Sequence, residues 1–172
     1  NCTSLTSIRD MAFYGCSGLT GALDLSNCTS LTILGDSAFY NCSRLTSITL
    51  PSNLTSIGEM AFGYCSGLTS ITLPSSLTNI ERAAFYGCRG LTGALDLSNC
   101  TSLTSIGDSA FYNCSRLTSI TLPSNLTSIG EMAFGYCSGL TSITLPSSLT
   151  NIERAAFYGC RGLTGALDLS NC

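Results

Sequence analysis

The sequence predicts a repeat solenoid of the α/β class, in which each coil adds a short strand and one short helical turn. Residues 19–90 recur as residues 91–162 with only two differences in 72 positions, Ile33/Ser105 and Leu34/Ile106. Each copy divides into three related modules of 26, 23 and 23 residues. Self-similarity at a fixed period of about 20–50 residues is typical of solenoids, whose units bury their apolar faces only against neighbouring units.

The predicted domain is one elongated array that covers residues 1–172. A partial module (1–18) precedes six complete modules, and a second partial module (163–172) follows them. The complete modules span 19–44, 45–67, 68–90, 91–116, 117–139 and 140–162. Because the chain begins and ends within a module, we interpret it as a segment of a longer array. The near-identity of the copies is compatible with a designed consensus array, although the irregular 26-residue module is more typical of recent natural duplication.

The composition is sufficient for a core and excludes several classes of partner. Hydrophobic residues make up 44% of the chain, charged residues 10%, and the formal net charge is −3. All seven basic residues are arginines, and they are scattered among ten acids, so we expect no nucleic-acid partner. No stretch approaches about 18 consecutive apolar residues, so the segment is not expected to span a membrane.

Residues 45–67 illustrate how one coil is predicted to fold. Leu45, Ile48 and Leu50 are the inward residues of a short strand, which Pro51 ends because it lacks an N–H. A short helical turn is then expected to begin at Glu59, where an acid interacts favourably with the free N–H groups of a helix N-terminus. From that turn three side chains are expected to face the core: Ala61, Phe62 and Cys65.

Residue types are confined to fixed positions of the module. Every phenylalanine lies at one position, which indicates that identical side chains stack along the solenoid axis: Phe13, Phe39, Phe62, Phe85, Phe111, Phe134 and Phe157. Every proline lies at another: Pro51, Pro74, Pro123 and Pro146. Paired strands lie about 4.7–4.9 Å apart, so six coils span roughly 30 Å on the strand side.

The repeated pattern L-x-x-I-x-L-P-x-x-L-x-x-I-G-x-x-A-F-x-x-C resembles the BspA-like class of leucine-rich repeats. The 26-residue module is more similar to an ordinary leucine-rich repeat, with Leu95, Leu97 and Cys100 at the positions of its strand leucines and its Asn/Cys residue. The resemblance covers essentially the whole chain. It implies a right-handed leucine-rich-repeat coil with parallel strands and a cell-surface or secreted setting, in which members commonly act in adhesion and partner binding. It carries over no catalytic residues.

Seven of the eleven cysteines share the position A-F-x-x-C, and we interpret them as small buried core residues: Cys16, Cys42, Cys65, Cys88, Cys114, Cys137 and Cys160. Disulfide ladders are the alternative, but the coils are expected to lie too far apart on that side for a bond. Among the remaining four, Cys2 and Cys28 are one coil apart in equivalent positions and form the one candidate disulfide. A zinc site is not expected, because the shortest Cys–Cys spacing is twelve residues and histidine is absent.

Two rows of threonine are predicted to point outward from the strands and form the candidate binding face. We call it the threonine face: Thr46, Thr49, Thr69, Thr72, Thr118, Thr121, Thr141 and Thr144. The alternative is a neutral strand exterior, since β-branched threonine favours strands. Aspartates interrupt the outer row in every third coil, which argues against an ice-binding lattice.

A line of charged residues is expected along the start of the helical turns: Asp10, Asp36, Glu59, Arg82, Asp108, Glu131 and Arg154.

N-x-S/T sequons mark candidate glycosylation sites at Asn1, Asn27, Asn41, Asn53, Asn99, Asn113 and Asn125. Asn27 and Asn99 fall in the turn of the longest module and are expected to be the most accessible. Duplication multiplies such sequons, so the seven represent fewer independent occurrences.

The sequence favours a non-catalytic function without a cofactor. Serine and cysteine nucleophiles need an adjacent base, most often histidine, and the chain has none. One hypothesis is an extracellular or cell-surface array that binds a protein or glycan through its repeated polar strand face. The other is a structural filament, stalk or spacer, in which copies of the chain stack end to end.

Overall fold

A computed structural model describes residues 2–164, which form a solenoid of stacked coils. Thirteen short strands carry the architecture: β1 (Ser7–Ile8), β2 (Gly21–Asp24), β3 (Ile33–Leu34), β4 (Leu45–Thr49), β5 (Ser56–Ile57), β6 (Ser70–Thr72), β7 (Asn79–Ile80), β8 (Gly93–Asp96), β9 (Ser105–Ile106), β10 (Leu117–Thr121), β11 (Ser128–Ile129), β12 (Ser142–Thr144) and β13 (Asn151–Ile152). Each complete coil contributes one longer and one two-residue strand. The parallel-strand leucine-rich-repeat fold expected from the sequence is therefore confirmed.

The two kinds of strand form separate parallel sheets on two sides of the core. The two-residue strands pair in the order β1-β3-β5-β7-β9-β11-β13, so this seven-stranded sheet runs through all the described coils. The longer strands form two three-stranded sheets, β2-β4-β6 and β8-β10-β12. The break falls between β6 and β8, where a 26-residue coil begins, and Gly93 at the start of β8 has a left-handed φ of 76°. The strand side is thus divided into two equal units, while the opposite sheet is continuous.

The core is a set of identical side chains stacked along the axis. Adjacent phenylalanine rings from Phe13 to Phe157 have centroids 5.1–5.5 Å apart and planes within 3–8° of parallel. The five inner rings are completely buried: Phe39, Phe62, Phe85, Phe111 and Phe134. Leucine and isoleucine of the strands close the core on the other side. No polar or charged side chain is buried among residues 2–164.

The predicted helical turn is wrong, because the described residues contain no helix. In the segment that includes Phe62, backbone N–H groups donate alternately within the coil and to the next coil. Ala61 donates to the Gly58 carbonyl at 3.2 Å, whereas Phe62 donates to Ala84 at 2.8 Å. Met60 has a left-handed φ of 52°, which a right-handed helix excludes. Acceptors in the neighbouring coil thus receive the backbone N–H groups that a helix would pair locally. We call this segment, residues 58–65 and their equivalents in the other coils, the turn ladder.

Acids at the start of the turn ladder bind the backbone of the next coil and do not cap a helix. The Asp10 carboxylate accepts a hydrogen bond from the Asp36 N–H at 2.9 Å, and Asp36 accepts one from Glu59 at 2.8 Å. Asp108 accepts from Glu131 in the same way, at 2.8 Å. These charged residues therefore join coils to one another.

Candidate binding surfaces

The threonine face lies where the sequence placed it, and all eight threonines are exposed. Thr49 pairs in register with Thr72, and Thr121 with Thr144, so the outer row is aligned along the axis. Asp24 pairs with Thr49, and Asp96 with Thr121, which places one carboxylate at the edge of each three-stranded sheet.

The two rows of the threonine face differ in how their hydroxyl groups are used. In the inner row, Thr69 donates to the Thr46 carbonyl at 3.1 Å, and Thr141 donates to Thr118 at 3.0 Å. Within residues 2–164, the hydroxyls of the outer row make no hydrogen bond to the protein: Thr49, Thr72, Thr121 and Thr144. Inner-row hydroxyls thus help to join the coils, and those of the outer row are available to a partner.

Asp24 and Asp96 are the only charged groups on the described strands of this face. The carboxylate of Asp24 accepts a hydrogen bond from the Ser26 N–H at 2.8 Å, and Asp96 accepts one from Ser98 at 2.9 Å. These backbone hydrogen bonds lower the pKa of both carboxyls. Each patch of the threonine face therefore carries one fixed negative charge and no positive charge.

The sequon asparagines lie in different environments. Asn27, Asn41 and Asn99 are exposed. Asn53 is also exposed, but its amide donates to the Thr29 carbonyl at 2.6 Å. Asn125 is half-buried and donates to Leu103 at 3.2 Å.

Two further sequons remain. Asn113 is half-buried, and with its amide oxygen facing Arg89 it accepts from Nη2 at 2.9 Å and from Nε at 3.1 Å. Asn1 lies outside the described residues. Accessibility thus favours Asn27, Asn99 and Asn41 as glycan acceptors, and their glycosylation stays a prediction.

The A-F-x-x-C cysteines form one column, in which the thiols are buried from Cys42 to Cys137 and half-buried at Cys16 and Cys160. Cys65 Sγ donates to the Phe39 carbonyl of the preceding coil at 3.0 Å, and Cys88 does the same to Phe62 at 3.0 Å. Burial raises the pKa of Cys65 and Cys137 to about 12, so these thiols stay protonated at neutral pH. The position therefore requires a small side chain that can also donate one hydrogen bond.

Cys2 and Cys28 are free thiols in this structure, Cys2 exposed and Cys28 buried. Both line an apolar cavity at the first coil, together with Leu5, Leu25 and Phe13. The disulfide between them stays a prediction.

A second surface, which was not predicted from the sequence, is formed by every tyrosine of the chain. The rings follow one another along the turn ladder, and we call them the tyrosine column: Tyr14, Tyr40, Tyr64, Tyr86, Tyr112, Tyr136 and Tyr158. Their centroids are 4.7–5.5 Å apart, and each ring is exposed or half-buried. The sequence does contain a pattern that could have predicted this column, because all seven tyrosines lie between Phe and Cys of A-F-x-x-C.

Glycines seat the tyrosine rings. A Cβ at Gly63 would lie 2.9 Å from Cδ2 of Tyr40, and one at Gly135 would lie 2.9 Å from Cδ2 of Tyr112. The coil that supplies each glycine places its own tyrosine one residue later, at Tyr64 and Tyr136, both in the left-handed region with φ of 57°. Bulky residues rarely adopt this conformation, so the backbone at Tyr64 and Tyr136 is locally strained. In this conformation both rings continue the column.

Residues 2–164 contain no group of three or more His, Cys, Asp or Glu side chains that could hold a metal ion. No helix long and apolar enough to cross a bilayer occurs among them either.

Comparison with known proteins establishes the family. The model of the BspA type leucine rich repeat region matches residues 2–104 and 32–164, in six copies. A leucine-rich repeat protein of Treponema pallidum is 31% identical with a TM-score of 0.83, over 92% of this chain and 72% of that one. One from Bacteroides ovatus is also 31% identical, with a TM-score of 0.81, over 92% of this chain but only 40% of its own.

A more distant structure is the pneumococcal vaccine antigen PcpA, 26% identical with a TM-score of 0.59, over 76% of this chain and 30% of that one. No curated protein matches the chain. The family model covers nearly all of the described coils, and the solved structures share their architecture. The chain therefore belongs to the BspA-type leucine-rich repeat family.

Proposed function

We propose that the chain is a non-catalytic binding array at the cell surface or outside the cell, and that the threonine face contacts a protein or glycan partner. The observation that carries the proposal is the division of the strand side into two three-stranded sheets of the same sequence. β2, β4 and β6 read GALD, LTSIT and SIT, and β8, β10 and β12 read the same. The face thus offers one surface twice on a rigid support.

Two equal patches favour binding by avidity. A partner with repeated epitopes engages the second patch at a high effective concentration, so its overall affinity exceeds that of one patch by about 10²–10⁴-fold. The free hydroxyls of the outer row supply hydrogen bonds, while Asp24 and Asp96 disfavour an anionic partner. The partner of this face is therefore expected to be neutral or basic, with repeated epitopes.

The fold and the structural relatives support a binding role at the cell surface or outside the cell. Leucine-rich repeat proteins are generally non-enzymatic scaffolds that bind proteins, and one structural relative is a vaccine antigen, which is a role suited to an accessible surface protein.

The test compares patch variants on surfaces coated separately with amylose, collagen and laminin, which offer a neutral glycan and two proteins with repeated epitopes. Thr49→Arg/Thr72→Arg blocks one patch, Thr121→Arg/Thr144→Arg blocks the other, and a fourfold variant blocks both. Ser30→Arg/Ser102→Arg is the matched control, because these serines are exposed, equivalent and off the face. We expect each single-patch variant to bind at least about tenfold more weakly than the parent chain, and the control to bind normally. Absence of binding to all three surfaces, or full binding by the fourfold variant, would refute the proposal.

A second candidate function, a structural filament or stalk, is favoured by the uniform stacking of the coils. Alternate N–H groups of the turn ladder donate to the next coil, as Phe62 does to Ala84 and Phe134 to Ala156, both at 2.8 Å, so the same contact repeats along the axis. Electron microscopy of the isolated chain tests this: regular rods several times longer than one chain would support the filament, and single short particles would contradict it.

A further inference from the structure

The arginines are unevenly distributed around the coil. Four of the seven lie in the loop that follows the tyrosine column: Arg44, Arg89, Arg116 and Arg161. All four are exposed. In no module does an Asp or Glu occur between the Phe of the turn ladder and the first leucine of the next strand. A chain of net charge −3 thus carries one edge with only positive charges, which runs beside the tyrosines.

The environment of the tyrosine hydroxyls agrees with this segregation of charge. Partial burial and then the neighbouring Tyr64 and Tyr112 raise the pKa of Tyr86, and Arg89 opposes the shift. The neighbouring Tyr158 hydroxyl raises the pKa of Tyr136, and Arg161 opposes the shift. At both rings the opposing charge comes from an arginine of the adjacent loop.

Ring packing decides which part of each tyrosine a partner can reach. Tyr14 and Tyr40 stack at 4.8 Å with an interplanar angle of 11°, and Tyr86 and Tyr112 stack at 4.7 Å with 9°. In these two pairs stacking covers the facing ring surfaces, whereas the other four neighbouring pairs meet tilted or edge-on, at 56–79°. In either arrangement the neighbouring rings lie within 5.5 Å of one another, so a sugar ring or a nucleobase cannot insert between them, and a partner approaches ring edges and hydroxyl groups from the side of the column. Aromatic edges are electropositive and hydroxyls donate hydrogen bonds, so both attract anionic groups as the guanidinium groups do.

We infer that the tyrosine column and its four arginines form a binding surface for a linear anionic glycan, that is, a carboxylated or sulfated polysaccharide lying along the solenoid axis. Arginine binds carboxylate and sulfate-like groups through paired N–H donors, and Arg89 is already held in place by Asn113. The tyrosines recur from coil to coil at intervals of 4.7–5.5 Å, and four of the seven coils add an arginine beside them. A polymer that repeats one acidic group matches such a surface better than the irregular side chains of a folded protein. This surface is separate from the threonine face, and the inference does not rest on the function proposed for that face.

The experiment uses dextran sulfate and uncharged dextran as immobilised probes with the same sugar backbone. The intact chain is expected to bind dextran sulfate, not dextran, and to bind more weakly as the salt concentration rises. Arg89→Gln/Arg161→Gln should weaken binding by about fivefold or more. The matched control is Arg82→Gln/Arg154→Gln, which removes the same charge from the same two modules but at the start of the turn ladder, beside Glu59 and Glu131.

A second variant tests the tyrosine hydroxyls separately from the fold. Tyr64→Phe/Tyr136→Phe keeps both rings and removes two exposed hydroxyls, and we expect about threefold weaker binding to dextran sulfate with an unchanged urea midpoint. Equal binding by the two arginine double variants, or binding to dextran as strong as to dextran sulfate, would overturn the inference. Tighter capture by poly-L-glutamate or poly(dT) than by dextran sulfate would also overturn it, because the surface would then fit another class of polyanion.

Discussion

The phenylalanine column provides a test of nearest-neighbour stability, because the repeat supplies the same residue in identical sequence with different neighbours. Phe85 and Phe157 occupy the same position of two modules, 68–90 and 140–162, whose sequences are identical. Phe85 is fully buried and stacks on Phe62 at 5.3 Å and on Phe111 at 5.1 Å. Phe157 is half-buried and stacks only on Phe134, at 5.5 Å. Phe→Leu at the two positions compares the loss of two stacks with the loss of one, and the lower burial of Phe157 reduces its loss in the same direction.

The expected loss follows from the number of ring pairs removed. Each aromatic pair contributes about 0.5–1.5 kcal/mol beyond burial, so Phe85→Leu loses about 1–3 kcal/mol from two pairs and Phe157→Leu about half of that from one. The change of side-chain shape adds less than about 1.5 kcal/mol in either case. The two variants should therefore differ by at least one pair, about 0.5–1.5 kcal/mol.

Urea unfolding monitored by circular dichroism measures this difference. With a slope of about 2 kcal/mol per molar urea, the midpoints of the two variants should differ by about 0.25–0.75 M. Phe111→Leu is the internal control, since Phe111 also has two stacked neighbours, at 5.1 and 5.5 Å. It should match Phe85→Leu. A loss at Phe157 equal to that at Phe85 would refute the reasoning, because the column would then contribute no energy between coils.

Two further predictions concern backbone spacing and thiol ionisation. Gly67→Ala should lower the free energy of unfolding by about 1–3 kcal/mol, because the new Cβ would lie 2.6 Å from the Ser43 carbonyl oxygen. Gly18→Ala at the equivalent position meets no atom within 4 Å and should cause no loss in the same urea assay, so equal losses would contradict this explanation. The free energy of unfolding should be constant up to about pH 8.5 and fall above it, because unfolded thiols ionise near that pH. The folded pKa of Cys65 and Cys137 is about 12, so the folded state holds its protons longer, and urea titrations from neutral to alkaline pH should show the decline. Cys65→Ala should reduce that slope, and an unchanged slope would show that other groups cause it.

The longer strand of each coil and the core were predicted because both depend on fixed offsets, whereas the second, two-residue strand of each coil was not predicted. Ile48 and Leu50 are buried on either side of exposed Thr49, as their alternation predicted, and the phenylalanines stack because one position holds all of them. The buried role of the A-F-x-x-C cysteines was also predicted. The hydrogen bonds that these thiols donate to phenylalanine carbonyls of the preceding coil were not predicted. They depend on how the backbones of two coils stack, which the sequence pattern does not show.

The helical turn was predicted wrongly for a physical reason that single-sequence patterns do not contain. G-x-x-A-F has the apolar spacing of one helical turn, and Glu59 suits a helix N-terminus. In a solenoid, however, the adjacent coil offers acceptors at the same height, and alternate N–H groups bind there instead. Met60 and Tyr64 then adopt left-handed φ, which local propensity alone disfavours.

The tyrosine column was missed because its residue shifts between two positions of the module. Tyr40 directly follows phenylalanine, whereas Tyr64 lies one residue later, after Gly63. When each residue type is assigned to one position of the module, the tyrosines therefore fall into two groups, and the single column is not recognised. The glycine that seats the preceding ring explains the shift, and that contact depends on the three-dimensional stacking of coils.

The unequal module lengths affect only one side of the solenoid, the side of the longer strands, and leave the opposite side continuous. The three additional residues of the 26-residue module act on the strand side, at the Gly93 turn and in the loop around Asn99, and there the sheet divides in two. On the opposite side, two-residue strands, phenylalanine stacks and thiol hydrogen bonds continue through every described coil. A side-chain change in the outer row of the strand side therefore leaves the axial interactions intact, since its hydroxyls make no hydrogen bond to another coil, whereas a change in the turn ladder breaks interactions with two neighbouring coils. Variation among relatives that alters binding is expected to accumulate in the outer row and at the exposed residues beside the tyrosine column, because these side chains contribute least to the contacts between coils.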